Sequence, residues 1–219
     1  MRLNTVIFDM DGLLIDSEPL WYEAAYEVFV AYGIQLTPKE YATTTGLRTK
    51  EFIQWWFQRF NIQGVDAGAV DKAITTAVID KIQTKGKTLP GVAHVLNYFI
   101  QQKFKIGLAS SSDMSIIDVV VNKLGIREHI SVIESAEKLE FGKPHPQVYL
   151  NCAAALKSSP IECLCFEDSF NGMIAAKAAR MKCIVVPAKS ESQHPKFGAA
   201  DLRLSSLINF NGLLLEALD

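Results

Sequence analysis

The feature that most constrains the fold of this chain is an apolar run near its start that ends on two acids. The run covers residues 5–8, and Asp9 and Asp11 follow it with one residue between them. A short apolar run that stops at a turn signal is typical of a strand buried on both faces of a parallel sheet. Open α/β sheets place their functional sites at the carboxyl ends of such strands. We therefore predict that both carboxylates serve one pocket at that edge of the sheet.

Gly12 follows the acid pair at once and favours this interpretation. Glycine accepts positive φ, so it lets the chain curl past the end of the strand. One alternative is a solvated turn between strand and loop. Another is a calcium-binding loop, which fits poorly because Leu13 occupies the next expected acidic position and the motif follows a strand rather than a helix.

Composition narrows the class of protein. The 219 residues suffice for one domain or one and a half, and a hydrophobic content of 49% predicts a globular chain. A formal net charge of −2 gives no reason to expect a nucleic-acid partner. No apolar run approaches the roughly 20 residues that a membrane-spanning helix needs. A strand predicted so near the first residue argues against a signal peptide, so we expect a cytoplasmic protein.

The four cysteines, Cys152, Cys163, Cys165 and Cys183, lack the paired spacing of a zinc site. Two of them lie in an apolar run that is typical of a strand. We predict buried thiols in a reducing compartment, which agrees with a cytoplasmic location.

Apolar segments with strand and helix spacing alternate from Pro90 to the end of the chain. Four further strands are predicted, at residues 106–109, 130–133, 161–166 and 183–186. Helices are predicted between them, and a last helix at about residues 206–218. Strands that alternate with helices predict a doubly wound parallel sheet of the α/β class.

A helical segment interrupts this alternation. The first two predicted strands lie about 90 residues apart, far more than an ordinary crossover connection spans. Apolar residues in between recur at helical spacing, and the predicted helices cover about residues 21–32, 49–60 and 70–82. Ser17 is expected to cap the first of these helices. We therefore predict a core of residues 1–15 and 88–219, with residues 16–87 inserted as a helical cap.

A second strand also ends on two acids. The run 161–166 is followed by Glu167 and Asp168, which mirrors the first pair. Because the carboxyl ends of parallel strands meet at one edge of the sheet, four carboxylates should come near one point. Like charges this close raise each other's pKa values unless a cation is present. Mg²⁺ prefers such an all-oxygen cluster, so the two pairs together predict a magnesium site.

A hydroxyl and an ammonium group follow two other predicted strands. Ser110 comes directly after the strand 106–109, where it could bind phosphate together with the amides of the next helix start. Helix capping is the alternative, and we expect it for Ser112 and Asp113. Lys143 lies in a loop just before a proline, and its alternative is a solvated position without a function.

These four motifs resemble, in order, motifs I to IV of the haloacid dehalogenase superfamily of phosphotransferases. They are residues 9–12, Ser110, residues 143–149 and residues 167–172. Four further segments narrow the resemblance to sugar phosphatases of the β-phosphoglucomutase-like branch: residues 16–21, 46–48, 89–92 and 177–181. The likeness covers nearly the whole chain and is weakest in the cap, between about residues 50 and 86.

The resemblance implies Mg²⁺-dependent hydrolysis of small sugar or sugar-alcohol phosphate monoesters through an aspartyl-phosphate. Asp9 would attack phosphorus as the nucleophile. Asp11 would protonate the leaving alkoxide and then activate the water that hydrolyses the intermediate, a dual role that needs a pKa nearer neutral. The implied metal ligands are Asp9, Asp168, Glu167 and the backbone carbonyl of Asp11.

The resemblance also implies how the substrate is held. Ser110 and Lys143 would bind the phosphoryl oxygens. Two residues of the cap, Arg48 and Trp21, are expected to face the substrate. Arg48 would bind phosphate or hydroxyl oxygens through its forked guanidinium group, and Trp21 would offer a flat face to a sugar ring. We expect a monomer whose partner is a small phosphorylated sugar, with no nucleic-acid or membrane partner.

Two other functions stay open. A phosphomutase of the same branch would use the same core residues but return the phosphoryl group to another hydroxyl. In the mutases a histidine stands where this chain has Trp21, and the arginine lies one place later than Arg48, so both differences favour a phosphatase. A receiver-like signalling domain also combines acids, a hydroxyl and a lysine around Mg²⁺, but it has no reason to contain a long helical insertion after its first strand.

Overall fold

Six parallel strands form one sheet in the computed structural model, which describes residues 2–218. The strands are β1 (Thr5–Phe8), β2 (Lys105–Ser110), β3 (Val132–Ser135), β4 (Cys163–Glu167), β5 (Lys182–Val185) and β6 (Leu202–Arg203). Their order in the sheet is β3-β2-β1-β4-β5-β6, which places β1 at the point where the order reverses. Each neighbouring pair is parallel, and this confirms the predicted doubly wound α/β sheet. The short strand β6 is absent from the sequence-based prediction.

Helices lie on the sheet and in the long segment between its first two strands. That segment contains α1 (Glu18–Val30), α2 (Pro38–Tyr41), α3 (Thr49–Arg59) and α4 (Ala67–Lys85). After it come α5 (Val92–Gln101), α6 (Met114–Lys123), α7 (Gln147–Ala155), α8 (Phe170–Ala178) and α9 (Gly212–Glu216). Within residues 2–218, none of the helices combines the length and apolar character that crossing a membrane requires.

The side chains of the central strand alternate between two apolar layers. Val6 and Phe8 point into the layer that contains α5 and α6, whereas Ile7 points into the layer that contains α7 and α8. All three side chains are buried. Phe8 also stacks on Phe166 of β4, with ring centroids 5.2 Å apart. Because both faces of β1 are covered, its sequence is a continuous apolar run rather than an alternating one.

The register of β1 brings the two acid pairs together. Phe8 is aligned with Phe166 on one side and with Leu108 on the other. The residues that follow the aligned phenylalanines, Asp9 and Glu167, therefore lie side by side at the edge of the sheet. The amide of Asp9 donates a hydrogen bond of 3.0 Å to the carbonyl of Phe166, which fixes this juxtaposition.

The segment 16–87 leaves and rejoins the rest of the chain at one place. Ile15 and Thr88 form an antiparallel bridge, and the amide of Asp16 donates to the carbonyl of Lys87 over 2.9 Å. Between these residues, α4 packs against both α1 and α3 through buried apolar side chains. The short helix α2 is absent from the sequence-based prediction. The name cap is kept for this segment, and its status as a separate domain stays a prediction.

The predicted last helix, residues 206–218, is wrong. The segment forms a 3₁₀ turn, Leu207–Asn209, and the short helix α9, with Phe210 in an extended conformation between them. The ring of Phe210 stacks on Phe99, with centroids 5.2 Å apart. Asn211 then caps α9, because its side chain accepts the amide of Leu214 over 3.2 Å. Burial of the Phe210 ring and the new cap outweigh the helical spacing of the leucines.

The four cysteines are buried free thiols, as predicted. Burial raises the pKa of each of them, to about 12 for Cys163. They therefore stay protonated near neutral pH, which makes them unreactive side chains of the core.

Candidate active site

Three carboxylates meet at the carboxyl edge of the sheet. Asp9 follows β1, Glu167 ends β4, and Asp168 comes next. Each offers an oxygen that lies within 4.8 Å of the oxygens of the others, so the group could hold a metal ion. Burial raises the pKa values of Asp9 and Asp168 well above their ordinary range, and the charge of Glu167 adds to this effect. A divalent cation would offset the repulsion, and the all-oxygen donor set fits Mg²⁺.

Lys143 is a buried member of this site rather than a solvated loop residue. Its Nζ donates to Asp9 Oδ1 over 2.5 Å, to Glu167 Oε1 over 2.7 Å and to the carbonyl of Ala109 over 3.0 Å. Burial disfavours the charged lysine, but the negative charges of Asp9 and Glu167 outweigh it and raise the pKa of Lys143. The ammonium group is therefore a fixed positive charge between the two strand ends.

Both carboxylate oxygens of Glu167 already have protein partners. Oε1 accepts from Lys143 and from the hydroxyl of Tyr149, which lies 2.6 Å away. Oε2 accepts from the amides of Asp168 and Ser169 over 3.1 and 3.2 Å. Gly172 of α8 makes room for this carboxylate, because a Cβ there would overlap it. Glu167 thus anchors Lys143, and its direct binding to a metal stays a prediction.

The carboxylate of Asp11 lies apart from that cluster and accepts three hydrogen bonds. Oδ1 accepts from the hydroxyl of Ser17 over 2.6 Å and from Nε1 of Trp21 over 2.9 Å. Oδ2 accepts from the hydroxyl of Ser112 over 2.7 Å. The predicted capping roles of Ser17 and Ser112 are therefore wrong: Ser17 occupies the N-cap position of α1 without a side-chain cap bond, and Asp113 rather than Ser112 precedes α6. Both hydroxyls are used to hold Asp11.

Ser110 ends β2 close to these acids. It is buried, and its Oγ accepts a hydrogen bond of 3.0 Å from the amide of Ser112. The next residue, Ser111, donates from its hydroxyl to the carbonyl of Gly46 in the cap over 2.8 Å. The serine run therefore touches both the acids and the cap, and the phosphate-binding role of Ser110 stays a prediction.

A cavity separates the strand ends from the cap. Its core-side lining includes Asp9, Asp11, Asp168 and Ser110–112. Its cap-side lining comprises Glu18, Trp21, Ala25, Tyr41, Thr44, Thr45, Gly46, Leu47, Thr49, Phe52 and Ile74. The structure thus brings the predicted nucleophile, general acid, phosphate-binding serine and cap tryptophan to one enclosed space.

Glu18 is a site residue that sequence reasoning missed. Burial, together with the nearby charge of Asp11, raises the pKa of Glu18 to about 8. Tyr41 and Thr45 of the cap hydrogen-bond its carboxyl group. The only signal in the sequence was its place in segment 16–21, which also reads as an ordinary helix start.

The structure corrects the prediction that Arg48 faces the substrate. Arg48 does not belong to the lining of the cavity, and only 8% of its surface is exposed. Its guanidinium donates instead to Glu51 and to backbone carbonyls of the core segment 136–140. The predicted substrate contact is therefore replaced by a contact between cap and core.

The chain is similar in sequence and in structure to known proteins. The family model described as haloacid dehalogenase-like hydrolase matches residues 6–186, which contain all four predicted motifs. The chain is 42% identical over 207 residues to hexitol phosphatase B of Escherichia coli (strain K12), covering 94% of this chain and 93% of that one. Fructose-1-phosphate phosphatase YqaB of the same strain is 30% identical over 185 residues, 84% of this chain and 97% of that one. The crystal structure of CbbY from Rhodobacter sphaeroides in complex with phosphate superposes with a TM-score of 0.86 at 25% identity, over 98% of this chain and 99% of that one.

Proposed function

The chain belongs to the haloacid dehalogenase-like hydrolase family, and from this premise we propose that it is a Mg²⁺-dependent phosphatase of small sugar or sugar-alcohol phosphate monoesters. The names of its relatives support this substrate class, since they include a hexitol phosphatase and a fructose-1-phosphate phosphatase. The observation that carries the proposal is the pairing of Lys143 with Asp9, over 2.5 Å, at the edge of a cavity that Ser110 also lines. 2-Deoxyglucose 6-phosphate is one candidate substrate.

Asp9 acts as the nucleophile. One of its carboxylate oxygens attacks phosphorus in line with the ester oxygen, so that an aspartyl-phosphate forms as the bond to the sugar oxygen breaks. Splitting the hydrolysis in this way replaces one difficult step by two easier ones. Lys143 keeps the carboxylate oriented through its bond to Oδ1.

Asp11 moves the protons. It donates one to the departing sugar oxygen, and afterwards it accepts one from the water that attacks the aspartyl-phosphate. Transfer by a positioned side chain of this kind contributes typically about 10²–10⁴-fold to the rate. The bonds from Ser17, Trp21 and Ser112 fix the direction in which this carboxyl group faces.

Ser110 binds the phosphoryl group, and the ammonium of Lys143, which lies against Asp9, offsets the charge of its oxygens. Asp9, Asp168 and the backbone carbonyl of Asp11 would bind Mg²⁺, with Glu167 as a further candidate ligand. Bound Mg²⁺ supplies positive charge that offsets the developing charge on the phosphoryl oxygens. These donors and charges are in place before the reaction, so they cost no reorganisation during it.

The cap closes the sugar side of the cavity. Trp21 offers its ring to the sugar, and Glu18 and Tyr41 line the same space. Enclosure around the bound substrate excludes bulk water. A monomeric state and a cytoplasmic location stay predictions from the sequence.

The test is phosphate release from a panel of hexose and hexitol phosphates, with Mg²⁺ and with a chelator in its place. We expect Mg²⁺-dependent release from at least one sugar phosphate at a rate above that of p-nitrophenyl phosphate, a generic ester. Release no faster than that of an Asp9→Asn variant would contradict the proposal.

A phosphomutase is the second candidate, because it would use the same core residues. The indole of Trp21 stands where the mutases have a histidine, and its Nε1 contacts Asp11. An indole cannot gate proton transfer by taking up or releasing a proton, which favours the phosphatase.

A further inference from the structure

We propose that Arg48 and Glu51 are positioning residues for Lys143, because they clamp the core segment 136–142 from the cap. The inference rests on the proposed role of Lys143 at the phosphate. We call the two side chains together with segment 136–142 the cap–core clamp. It makes correct placement of the lysine depend on a closed cap.

Arg48 forms one half of the clamp. Its NH1 donates to the carbonyls of Ala136 over 3.1 Å and Leu139 over 2.5 Å, and its NH2 donates to the carbonyl of Glu140 over 3.2 Å. NH2 also pairs with Glu51 Oε1 over 2.6 Å. One planar guanidinium thus makes four hydrogen bonds, three of them to carbonyls that lie far away in the sequence. An ammonium group has only three N–H donors and could not make all four.

Glu51 forms the other half. Its Oε1 accepts the amide of Gly142 over 3.1 Å, and its Oε2 accepts the amide of Arg48 over 3.3 Å. Partial burial would raise the pKa of Glu51, but hydrogen bonds from Arg48 and Gly142 outweigh it and lower the pKa. The carboxylate is therefore charged near neutral pH and bridges the start of α3 to the residue before Lys143.

A glycine at position 142 leaves room for this arrangement, and a larger residue would displace the side chains of Glu51 and Arg48. A Cβ there would lie 2.6 Å from Glu51 Oε2 and 2.7 Å from Arg48 Nε, which is shorter than real Cβ contacts. The absence of a side chain lets both cap residues lie directly against the backbone. Gly142 is thus a third residue that the clamp depends on, and its substitution provides a test.

The clamped segment connects the two predicted phosphate-binding residues. At its start, the amide of Ala136 donates to the carbonyl of Ser110 over 2.9 Å. At its end, Gly142 is followed directly by Lys143, whose buried Nζ contacts Asp9 and Glu167. A misplacement of about 1 Å can cost on the order of 10²-fold in rate. Holding the backbone of segment 136–142 therefore acts on catalysis through Lys143.

The first experiment compares kcat and KM of Arg48→Ala, Arg48→Lys and Gly142→Ala on a sugar phosphate and on p-nitrophenyl phosphate. Arg59→Ala, at an exposed arginine that ends α3, is the control. We expect each clamp variant to lose roughly 10- to 100-fold in kcat, equally on both substrates. Arg48→Lys should not rescue the loss. A loss confined to the sugar phosphate would overturn the proposal in favour of direct substrate binding.

The second experiment is a double-mutant cycle with Lys143→Ala. If Arg48 acts through the lysine, Arg48→Ala should lower kcat by less than about threefold when Lys143 is already absent. If the fold-loss in kcat of the double variant equals the product of the two single losses, Arg48 works independently of Lys143. That result would overturn the positioning role.

The third experiment measures hydrogen exchange of the intact protein without substrate. The amide of Gly142 donates to Glu51, so its exchange reports the clamp directly. We expect faster exchange in segment 136–142 of Arg48→Ala and unchanged exchange in Arg59→Ala. Unchanged protection in Arg48→Ala would overturn the clamp even if activity fell. This result does not depend on the substrate, so failure of the wild type to hydrolyse sugar phosphates would contradict the proposed function alone.

Discussion

Nε1 of Trp21 donates a hydrogen bond of 2.9 Å to Oδ1 of Asp11, and this bond links a cap helix to the proposed general acid of the core. Ser17, at the start of the same helix, donates to the same oxygen. The cap therefore contributes donors to the proton-transfer residue, in addition to covering the cavity. In this arrangement of the cap, its first helix therefore helps to orient Asp11.

Trp21→Phe keeps an aromatic ring for the sugar but removes the N–H group. A hydrogen bond to a charged group contributes about 1.5–3 kcal/mol, so we expect kcat to fall by roughly tenfold or more while KM changes little. Steady-state kinetics on a sugar phosphate measures kcat and KM separately. Trp55→Phe, at an exposed tryptophan of α3, is the control. An unchanged kcat would show that this bond does not orient Asp11 during turnover.

Asp9→Asn should abolish turnover and preserve the fold, since a neutral amide cannot form the acyl phosphate. We expect kcat below about a thousandth of the wild-type value, a barrier increase of more than roughly 4 kcal/mol. Kinetics at saturating substrate, with circular dichroism as the check on folding, measures this. A higher residual rate in a folded variant would remove Asp9 from the role of nucleophile.

Lys143→Ala should damage both catalysis and stability. It leaves the buried carboxylates of Asp9 and Glu167 without their ammonium partner, and breaking a buried pair from one side costs about 3–5 kcal/mol. Urea unfolding without added metal measures the loss in the free energy of unfolding. Lys85→Ala, which removes an exposed pair with Glu23, should change it little. Normal kcat and KM in Lys143→Ala would mean that the motif match at this position is accidental.

Asp113 should make stability depend on pH. Burial, followed by the charges of Asp71 and Glu137, raises the pKa of Asp113 from 3.8 to about 6. Because this pKa is raised, the folded protein binds a proton at Asp113 more tightly than the unfolded chain does. The contribution of Asp113 to stability is therefore full below pH 3.8 and is lost as pH rises through about 6. Asp113→Asn should therefore raise the melting temperature at pH 7.5 but not at pH 3.5. Asp118→Asn, on the exposed side of α6, controls for the change in net charge, and an equal shift in both variants would contradict the prediction.

Phosphorus NMR separates the phosphatase from the mutase. We expect β-glucose 1-phosphate, if it is accepted, to yield free glucose and inorganic phosphate without a bisphosphate activator. The physical reason is that Trp21 cannot take part in proton transfer and so does not protect the aspartyl-phosphate from water. Accumulation of glucose 6-phosphate without matching phosphate release would establish the mutase instead.

Local sequence patterns were sufficient to predict an element wherever the residues that define the pattern are also the ones buried in the core. The run 5–8 and the run before Glu167 predicted two strands. The sheet order then places both at its centre, and the register of β1 with β4 brings their acids together. The pattern failed at residues 206–218, where leucines at helical spacing suggested one helix. There the burial of Phe210 against Phe99 breaks the segment, and the partner of that ring lies more than a hundred positions earlier.

The sequence by itself determined the parallel α/β sheet, the helical insertion, the family and the core residues that meet at the strand ends. These features follow from apolar periodicity and from short motifs, each made of residues that are close together in the sequence. Only the tertiary structure decided what Arg48, Ser17, Ser112 and Glu18 do. A hydroxyl at a helix start can cap the helix or reach a carboxylate, and a guanidinium can bind a substrate or three backbone carbonyls. The outcome depends on which groups the fold brings within hydrogen-bond distance, such as Arg48 and Leu139, and no local pattern encodes that distance.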